Sequence, residues 1–187
     1  MKNPRVKSDE TNMRYALRQA EKARAIEETP IGAVIVREGR IVARGFNRRE
    51  TRQDVTLHAE MIAIRQACTR LGSWRLDGCE LYVTLEPCAM CAGAIQQARI
   101  ARVVYGAADP KAGAVESRLR FFDLPDMNHT VAYTGGVLAD ESARLLRSFF
   151  SWLRQRDRSL GTKGARRDLA KAQVHKKKGA GESPPTP

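Results

Sequence analysis

Two cysteines three residues apart, Cys88 and Cys91, follow Pro87 at the start of a predicted helix. Side chains at i and i+3 share a helix face, and both a helix N-terminus and a bound metal favour the thiolate form. His58, earlier in the chain, would add an imidazole to this pair. Such a set gives three soft or borderline donors to one tetrahedral ion, and zinc is the ion that it predicts.

The number of ligands bears on what the predicted zinc does. Structural zinc sites are closed by four protein ligands, whereas three ligands leave a position for water. Glu60 follows His58 by two residues and could move the protons of that water. Residues two apart do not share a face deep in a helix, so both must border the site from a first turn. The site is therefore predicted to be catalytic.

The elements that position these residues follow from hydrophobic periodicity. Helices are predicted over residues 8–26, 58–71, 88–98 and 138–156, a short helix near 115–122, and strands over 32–36, 41–46, 79–85, 102–105 and 130–134. The first two strands, joined by a turn, predict an antiparallel hairpin. The strand–helix–strand order over residues 79–105 predicts a parallel, right-handed crossover. Residues that follow such a strand lie at the carboxyl edge of the sheet, where ligands collect. The apolar residues of the last helix nearly encircle it. Core packing is favoured over ligand binding, and an exposed part could still contact bases or a partner.

Length and charge divide the chain. Its 187 residues allow one domain of ordinary size, predicted over residues 1–156, and a basic, disordered tail over residues 157–187. The net charge of +12 favours a polyanionic partner. From residue 155 onward nine Lys or Arg stand against three acidic residues, a net +6. The tail could contact phosphates or be a solvated extension, and its composition fits both.

Compartment is predicted from what the sequence lacks. Residues 1–7 are charged without an apolar core, and no apolar run approaches the roughly 20 residues of a membrane span. We therefore expect a cytoplasmic protein with no membrane contact. Cys68 and Cys79, which flank no comparable cluster, could pair with each other, but reduced core thiols are expected in a cytosolic chain.

Several further segments of the chain resemble those of one known family. The combination His-x-Glu and Pro-Cys-x-x-Cys is the known signature of zinc-dependent nucleobase deaminases. The resemblance covers about residues 14–154 and is carried by Pro30-Ile31-Gly32-Ala33-Val34, Gly45-Phe46-Asn47, Leu57-His58-Ala59-Glu60, Tyr82-Val83-Thr84-Leu85-Glu86-Pro87-Cys88, Cys91-Ala92-Gly93-Ala94 and Met127-Asn128-His129. With these segments the chain resembles the bacterial tRNA-specific adenosine deaminases.

The resemblance implies an α/β fold with three α/β/α layers around a five-stranded mixed sheet, and a homodimer with one zinc in each subunit. It also implies conversion of the wobble adenosine to inosine in the anticodon stem-loop of tRNA. Carried over residue by residue, the resemblance makes His58, Cys88 and Cys91 the zinc ligands and Glu60 the proton shuttle. It also implies that Asn47 contacts the flipped nucleotide and that Asp109 lies near the substrate's backbone. From the residues alone, Asn47 could equally be a turn residue that ends a strand.

Two other functions are compatible with parts of the pattern. A deaminase of guanine or of another free base or nucleoside would share the zinc site but would need no polyanion-binding surface. Strong salt dependence of substrate affinity would count against it. A non-enzymatic nucleic-acid binder with structural zinc would leave the fourth zinc ligand and Glu60 unexplained.

Overall fold

A computed structural model describes residues 4–159 of the chain. The chain forms two compact units, Met1–Phe149 and Phe150–Pro187, whose boundary falls within the last helix. Residues 160–187 of the predicted basic tail lie outside the described part. The predicted division into residues 1–156 and 157–187 therefore stays a prediction.

Five helices, five strands and one short 3-10 helix make up the described residues. In chain order they are α1 (Pro4–Ala25), β1 (Gly32–Arg37), β2 (Arg40–Phe46), α2 (Arg49–Arg52), α3 (Ala59–Leu71), β3 (Cys79–Leu85), α4 (Ala89–Gln97), β4 (Arg102–Ala107), the 3-10 helix Phe121–Asp123, β5 (Ala132–Thr134) and α5 (Ala139–Ser159). None of the helices in this part of the chain has both the length and the apolar composition needed to cross a membrane.

The strands form one mixed sheet in the order β2-β1-β3-β4-β5. Strand β1 pairs antiparallel with both β2 and β3, whereas β3, β4 and β5 run parallel. The predicted hairpin and the predicted parallel crossover through α4 are both confirmed. The parallel strands β3 and β4 therefore end at the same edge of the sheet, where Leu85 lies beside Ala107.

Alternating residues of the strands face two different helix layers, as the two-residue repeat of a strand requires. One layer contains α3 and α4, and its buried contacts with the sheet include Ile35, Ala63, Leu81, Ile95 and Val103. The other contains α1, and its buried contacts include Met13, Ala16, Val34, Tyr82 and Val104. The helices on both faces of a five-stranded mixed sheet confirm the three-layer α/β/α fold.

Residues 115–122 do not form the predicted α-helix. Arg120 adopts a positive φ of 47°, a value that interrupts a right-handed helix. The chain folds back at this point, and the Phe121 N–H donates to the Ala114 carbonyl at 2.8 Å. The segment is a turn that ends in the 3-10 helix.

The last helix is predicted correctly, but the burial of its apolar residues is not uniform. Phe149 is buried, whereas Phe150 is 41% exposed and Trp152 is 37% exposed. Core packing is therefore correct for Phe149 but wrong for Phe150 and Trp152, which belong to the exposed part of the helix.

A buried ion pair joins the first helix to the sheet. Arg102 of β4 donates to both carboxylate oxygens of Asp9 in α1, at 2.9 and 2.8 Å. The Tyr82 hydroxyl of β3 donates to the same carboxylate at 2.9 Å. Burial raises the pKa of Asp9, but the hydrogen bonds from Arg102 and Tyr82 outweigh it and hold that pKa below its ordinary value.

We expect Asp9→Asn to destabilise the protein strongly, because it removes the bidentate counter-charge of the buried Arg102 guanidinium and leaves only the Glu80 carboxylate, 3.8 Å away. Removing one partner of a buried ion pair typically costs about 3–5 kcal/mol of unfolding free energy. Since the pKa of Asp9 is lowered in the folded state, its contribution is fully present above the unfolded-state pKa of about 3.9. It is lost as the pH falls through the lower folded-state pKa.

Urea denaturation of the wild type and Asp9→Asn should therefore show a stability difference that is full near pH 7 and shrinks below about pH 4. Asp77→Asn is the matched control, because Asp77 pairs with Arg75 at 3.1 Å on the exposed surface. It should cost less than about 1 kcal/mol. Equal losses in the two variants would contradict the role of the buried pair.

Candidate active site

His58 and Cys88 occupy equivalent positions, each as the residue that caps a helix N-terminus. His58 precedes α3 with φ −73° and ψ 157°, and Cys88 precedes α4 with φ −77° and ψ 173°. Both backbones are therefore still extended. Glu60 and Cys91 follow in the first turns of α3 and α4. The first-turn placement that His58 and Glu60 require is confirmed.

A close backbone approach sets the position of α3 against the sheet. A Cβ atom added at Gly45 of β2 would lie 2.1 Å from the carbonyl oxygen of Ala59, so no other residue fits there without moving the helix. The loop between them is held by the Arg48 N–H, which donates to the Leu57 carbonyl at 3.0 Å. His58 thus enters the site from a fixed direction.

The three predicted zinc ligands lie together. The Nδ1 atom of His58 is 3.7 Å from Sγ of Cys88 and 3.6 Å from Sγ of Cys91, and the three ligand atoms all lie within 4.8 Å of one another. A tetrahedral zinc with bonds of about 2.3 Å to sulfur and 2.0–2.1 Å to nitrogen separates S from N by about 3.6 Å. The donor set and its spacing therefore fit zinc.

The three candidate ligands change one another's pKa. Hydrogen bonding from Cys91, together with His58, lowers the pKa of Cys88 to about 4. The adjacent Cys88, followed by burial, raises the pKa of Cys91, and the hydrogen bond with Cys88 raises the pKa of His58. Cys88 is therefore the more acidic of the two thiols, as expected of a cysteine at a helix N-terminus.

Glu60 lies at the same cluster and is itself buried. Burial raises the pKa of its carboxyl group, and the charge of His58 opposes that shift. The charges of both His58 and Cys88 act on the Glu60 carboxyl group, as expected of a group beside the candidate ligands. The site thus holds three metal donors and one buried carboxyl group.

Asn47 is buried at the end of β2, where another buried residue holds it. Its Nδ2 donates to Oε2 of Glu28 at 3.0 Å, and the second oxygen of Glu28 accepts the Thr51 N–H at 2.6 Å. The sequence alone predicts no role for Glu28. Its position after a helix and before Thr29-Pro30 is typical of an exposed loop residue, and only the distant partners give it a function.

Asp109 lies in a loop that Glu86 organises. The Asp109 N–H donates to Glu86 Oε2 at 3.0 Å, and Oδ1 of Asp109 accepts the N–H groups of Lys111 and Ala112 at 3.0 and 3.2 Å. Burial raises the pKa of Glu86. Hydrogen bonds from Ser117 and nearby backbone groups lower it by more, so the pKa lies below its ordinary value. The sequence motif that contains Glu86 predicts no role for it. A charged residue at the end of an otherwise buried strand was the available signal.

The structure does not bring every predicted site residue into contact. Within residues 4–159, neither Asn47 nor Asp109 hydrogen-bonds to His58, Cys88 or Cys91. Their predicted contacts with substrate stay predictions.

A basic cavity of about 620 Å³ is lined in part by residues that are sequence neighbours of Asn47 and His58. It is lined by four arginines and four other residues, Arg48, Arg52, Arg65, Arg70, Leu57, Ile62, Gln66 and Thr69. No acidic residue is among those that line it. Arg48 directly follows Asn47 and Leu57 directly precedes His58, so the cavity shares its loop with two predicted site residues. Such a surface is suited to an anionic ligand.

Known proteins share both the sequence and the fold. A model of the cytidine and deoxycytidylate deaminase zinc-binding region matches residues 6–107. A tRNA-specific adenosine deaminase of Agrobacterium fabrum is 54% identical over 138 residues, which cover 74% of this chain and 91% of that protein. A solved structure from a study of A-to-I editing by tRNA:A34 deaminases is 52% identical with a TM-score of 0.70, over 73% of this chain and 99% of the other. The guanine deaminase of Bacillus subtilis is 37% identical with a TM-score of 0.53, over 78% and 93% of the two chains.

We expect Cys91→Ser to abolish stoichiometric zinc binding, because a hydroxyl group is a much weaker zinc ligand than a thiolate. Elemental analysis of the purified wild type should give one zinc per chain. Cys68→Ser is the matched control, since Cys68 is a free cysteine whose Sγ bonds the Trp74 carbonyl at 3.8 Å and which lies outside the candidate cluster. Full zinc content in Cys91→Ser, or two zinc ions per chain in the wild type, would contradict the assignment.

Proposed function

The chain belongs to the tRNA-specific adenosine deaminases of the cytidine and deoxycytidylate deaminase family, and we propose that it hydrolytically deaminates the wobble adenosine of a tRNA anticodon to inosine. One observation of the structure carries this proposal. The site combines three metal donors with a buried carboxyl group beside them, which is the equipment of a hydrolytic deaminase.

The protein uses one zinc ion per subunit. We propose that His58, Cys88 and Cys91 hold it, because their ligand atoms have the spacing of a tetrahedral site. Zinc bound by three protein ligands acts as a Lewis acid and lowers the pKa of a water molecule toward about 7.

Glu60 is proposed to carry the protons of the reaction. It can accept a proton from the water that attacks C6 of adenine and deliver it to the neighbouring ring nitrogen. Glu60 can then take the proton of the new hydroxyl group on C6 and deliver it to the amino group on C6. The C–N bond breaks, ammonia leaves and the keto group of inosine remains. Burial keeps bulk water from exchanging with the proton that Glu60 holds.

An RNA substrate is supported by charge. The chain carries a net +12, and four arginines line the basic cavity beside the loop that contains His58. Phosphate neutralisation by such groups makes binding depend steeply on salt. Guanine, the base named for one similar structure, carries no phosphate and would gain nothing from this surface.

The remaining contacts follow the family resemblance. We propose that Asn47, held by Glu28, contacts the flipped nucleotide and that Asp109 lies near the substrate's backbone. We also propose a homodimer that acts in the cytoplasm, with residues 1–156 as the deaminase domain. Light scattering should give about twice the chain mass of 20.8 kDa.

The activity is tested with unmodified anticodon stem-loop transcripts that carry adenosine at the wobble position. Incubation with the purified protein should produce A-to-G changes at that position when the product is sequenced. Free adenosine should be a far poorer substrate, because contacts with the loop supply the binding energy that orients the flipped base. Comparable efficiency on free guanine would support a base deaminase instead.

We expect Glu60→Gln to retain zinc and RNA binding but to lose turnover, because the substitution removes only the proton-accepting group. The single-turnover rate should fall by more than about 10²-fold, since one group serves several proton transfers. Glu21→Gln, an exposed change in α1, should keep the wild-type rate. Activity of Glu60→Gln within a few-fold of wild type would exclude Glu60 as the shuttle.

A further inference from the structure

We propose that Glu86 is a positioning residue that locks the loop of residues 109–117 onto the Pro87–Cys88 turn. Through this lock Glu86 fixes the place of Asp109 relative to the zinc ligand Cys88. The kinetic consequence rests on the proposed function, whereas the lock itself does not.

The Glu86 carboxylate is saturated by donors from a single loop. Its Oε1 accepts three consecutive backbone N–H groups, those of Val115, Glu116 and Ser117, at 3.1, 2.7 and 2.9 Å. Its Oε2 accepts the Asp109 N–H at 3.0 Å and the hydroxyl of Ser117. One buried side chain thus binds both ends of the loop, and it makes no ion pair with any residue in 4–159.

Backbone contacts also join the loop to the Pro87–Cys88 turn. Gly113 pairs with Cys88 in an isolated antiparallel bridge, and the Ala114 N–H donates to the Pro87 carbonyl at 2.8 Å. The loop therefore touches the residue that is proposed to hold zinc, not only its neighbour in sequence. Glu86 and Cys88 are two residues apart, so any shift of this turn moves both.

The fit of the loop over Glu86 leaves no free space. A Cβ atom added at Gly113 would lie 2.3 Å from Glu86 Oε2 and 2.7 Å from the Asp109 carbonyl oxygen. The loop can pass over the carboxylate only because residue 113 has no side chain. Gly113→Ala would therefore displace the loop without removing any of its donors.

Loss of the carboxylate should loosen both ends of the loop, because residues 109–117 include no helix or strand and only Gly113 and Ala114 would still bond the Pro87–Cys88 turn. Four backbone N–H groups would lose their acceptor at once, and a buried N–H without a partner costs free energy comparable to a lost hydrogen bond. The loop would then exchange its packing for contact with water. Asp109 would move with it, since its side chain bonds only the backbone of Lys111 and Ala112 in the described residues.

Two substitutions at Glu86 separate the two ends of the loop. In Glu86→Gln the amide oxygen can still accept the N–H groups of Val115, Glu116 and Ser117, and the amide nitrogen can donate to the Ser117 hydroxyl. That nitrogen faces the Asp109 N–H, however, and two donors cannot bond. The glutamine variant therefore releases Asp109 alone, whereas Glu86→Ala releases all four N–H groups.

Amide hydrogen exchange measured by NMR on the zinc-loaded protein tests the lock without any substrate. In Glu86→Gln the Asp109 amide should exchange at least about tenfold faster, the factor expected for one lost hydrogen bond to a charged group. The amides of Val115, Glu116 and Ser117 should keep their protection. In Glu86→Ala the amides of all four residues should lose their protection from exchange. Unchanged exchange at Asp109 in Glu86→Gln would overturn the proposal.

Kinetics test the consequence for the reaction. In Glu86→Gln the half-saturating concentration of the wobble-adenosine stem-loop should rise about tenfold, while the rate at saturating RNA changes much less. Gly113→Ala should show the same split, because it moves the loop by a different route. Glu38→Ala is the matched control, since Glu38 is exposed and its ion pair with Arg37 is a long one of 4.0 Å on the surface. A merely structural Glu86 would lower the urea midpoint without this split, and that result would also overturn the proposal.

The outcome is separable from that of the proposed function. If the wild type fails to deaminate the stem-loop, the proposed function fails, and the exchange rates still decide whether Glu86 holds the loop. If Glu86→Ala does not fold, Glu86→Gln and Gly113→Ala decide it.

Discussion

The structure depends on one geometric requirement, that two helix N-termini meet so that donors from residues about 30 positions apart come within bonding distance of one ion. His58 and Cys88 satisfy it with the same device, an extended residue directly before a helix. The parallel pair β3 and β4 brings α4 to the carboxyl edge of the sheet, and the Gly45 contact brings α3 beside it. The sheet order and the α3–α4 layer both serve this meeting.

Buried carboxylates perform two different tasks in this fold. Asp9 and Glu86 have their pKa lowered because hydrogen bonds outweigh burial, so they remain charged anchors for a helix and for a loop. For Glu60 burial prevails and the pKa is raised. A group that is to exchange protons cannot be as heavily hydrogen-bonded as an anchor, because each donor stabilises only the ionised form. The difference in partners thus accounts for the difference in proposed role.

The sequence predicted the parts of the site that depend on local spacing and missed those that depend on distant backbone. Cys-x-x-Cys and His-x-Glu fix which residues lie in one helix turn, so the ligand cluster was predictable. Hydrophobic periodicity predicted the β1–β2 hairpin and the parallel β3–β4 pair, but not the pairing of β1 with β3. Glu86 acts instead on N–H groups 23 to 31 residues away, and every residue except proline has an N–H. The helix predicted over residues 115–122 failed for the same reason. Its apolar spacing was adequate, but a distant carboxylate organises the first part of that segment and Arg120 turns the chain.

The anchors at Glu28 and Glu86 hold the two residues, Asn47 and Asp109, that are proposed to meet the substrate. An adenosine taken from an anticodon loop loses its stacking before it reacts, and this cost must be offset by contacts that are already in place. Loops that first had to order themselves would spend part of the binding free energy on their own entropy. Placing a buried carboxylate under each loop removes that loss in advance. The rigid base of the site and the proposed preference for RNA over a free base are therefore consequences of the same design.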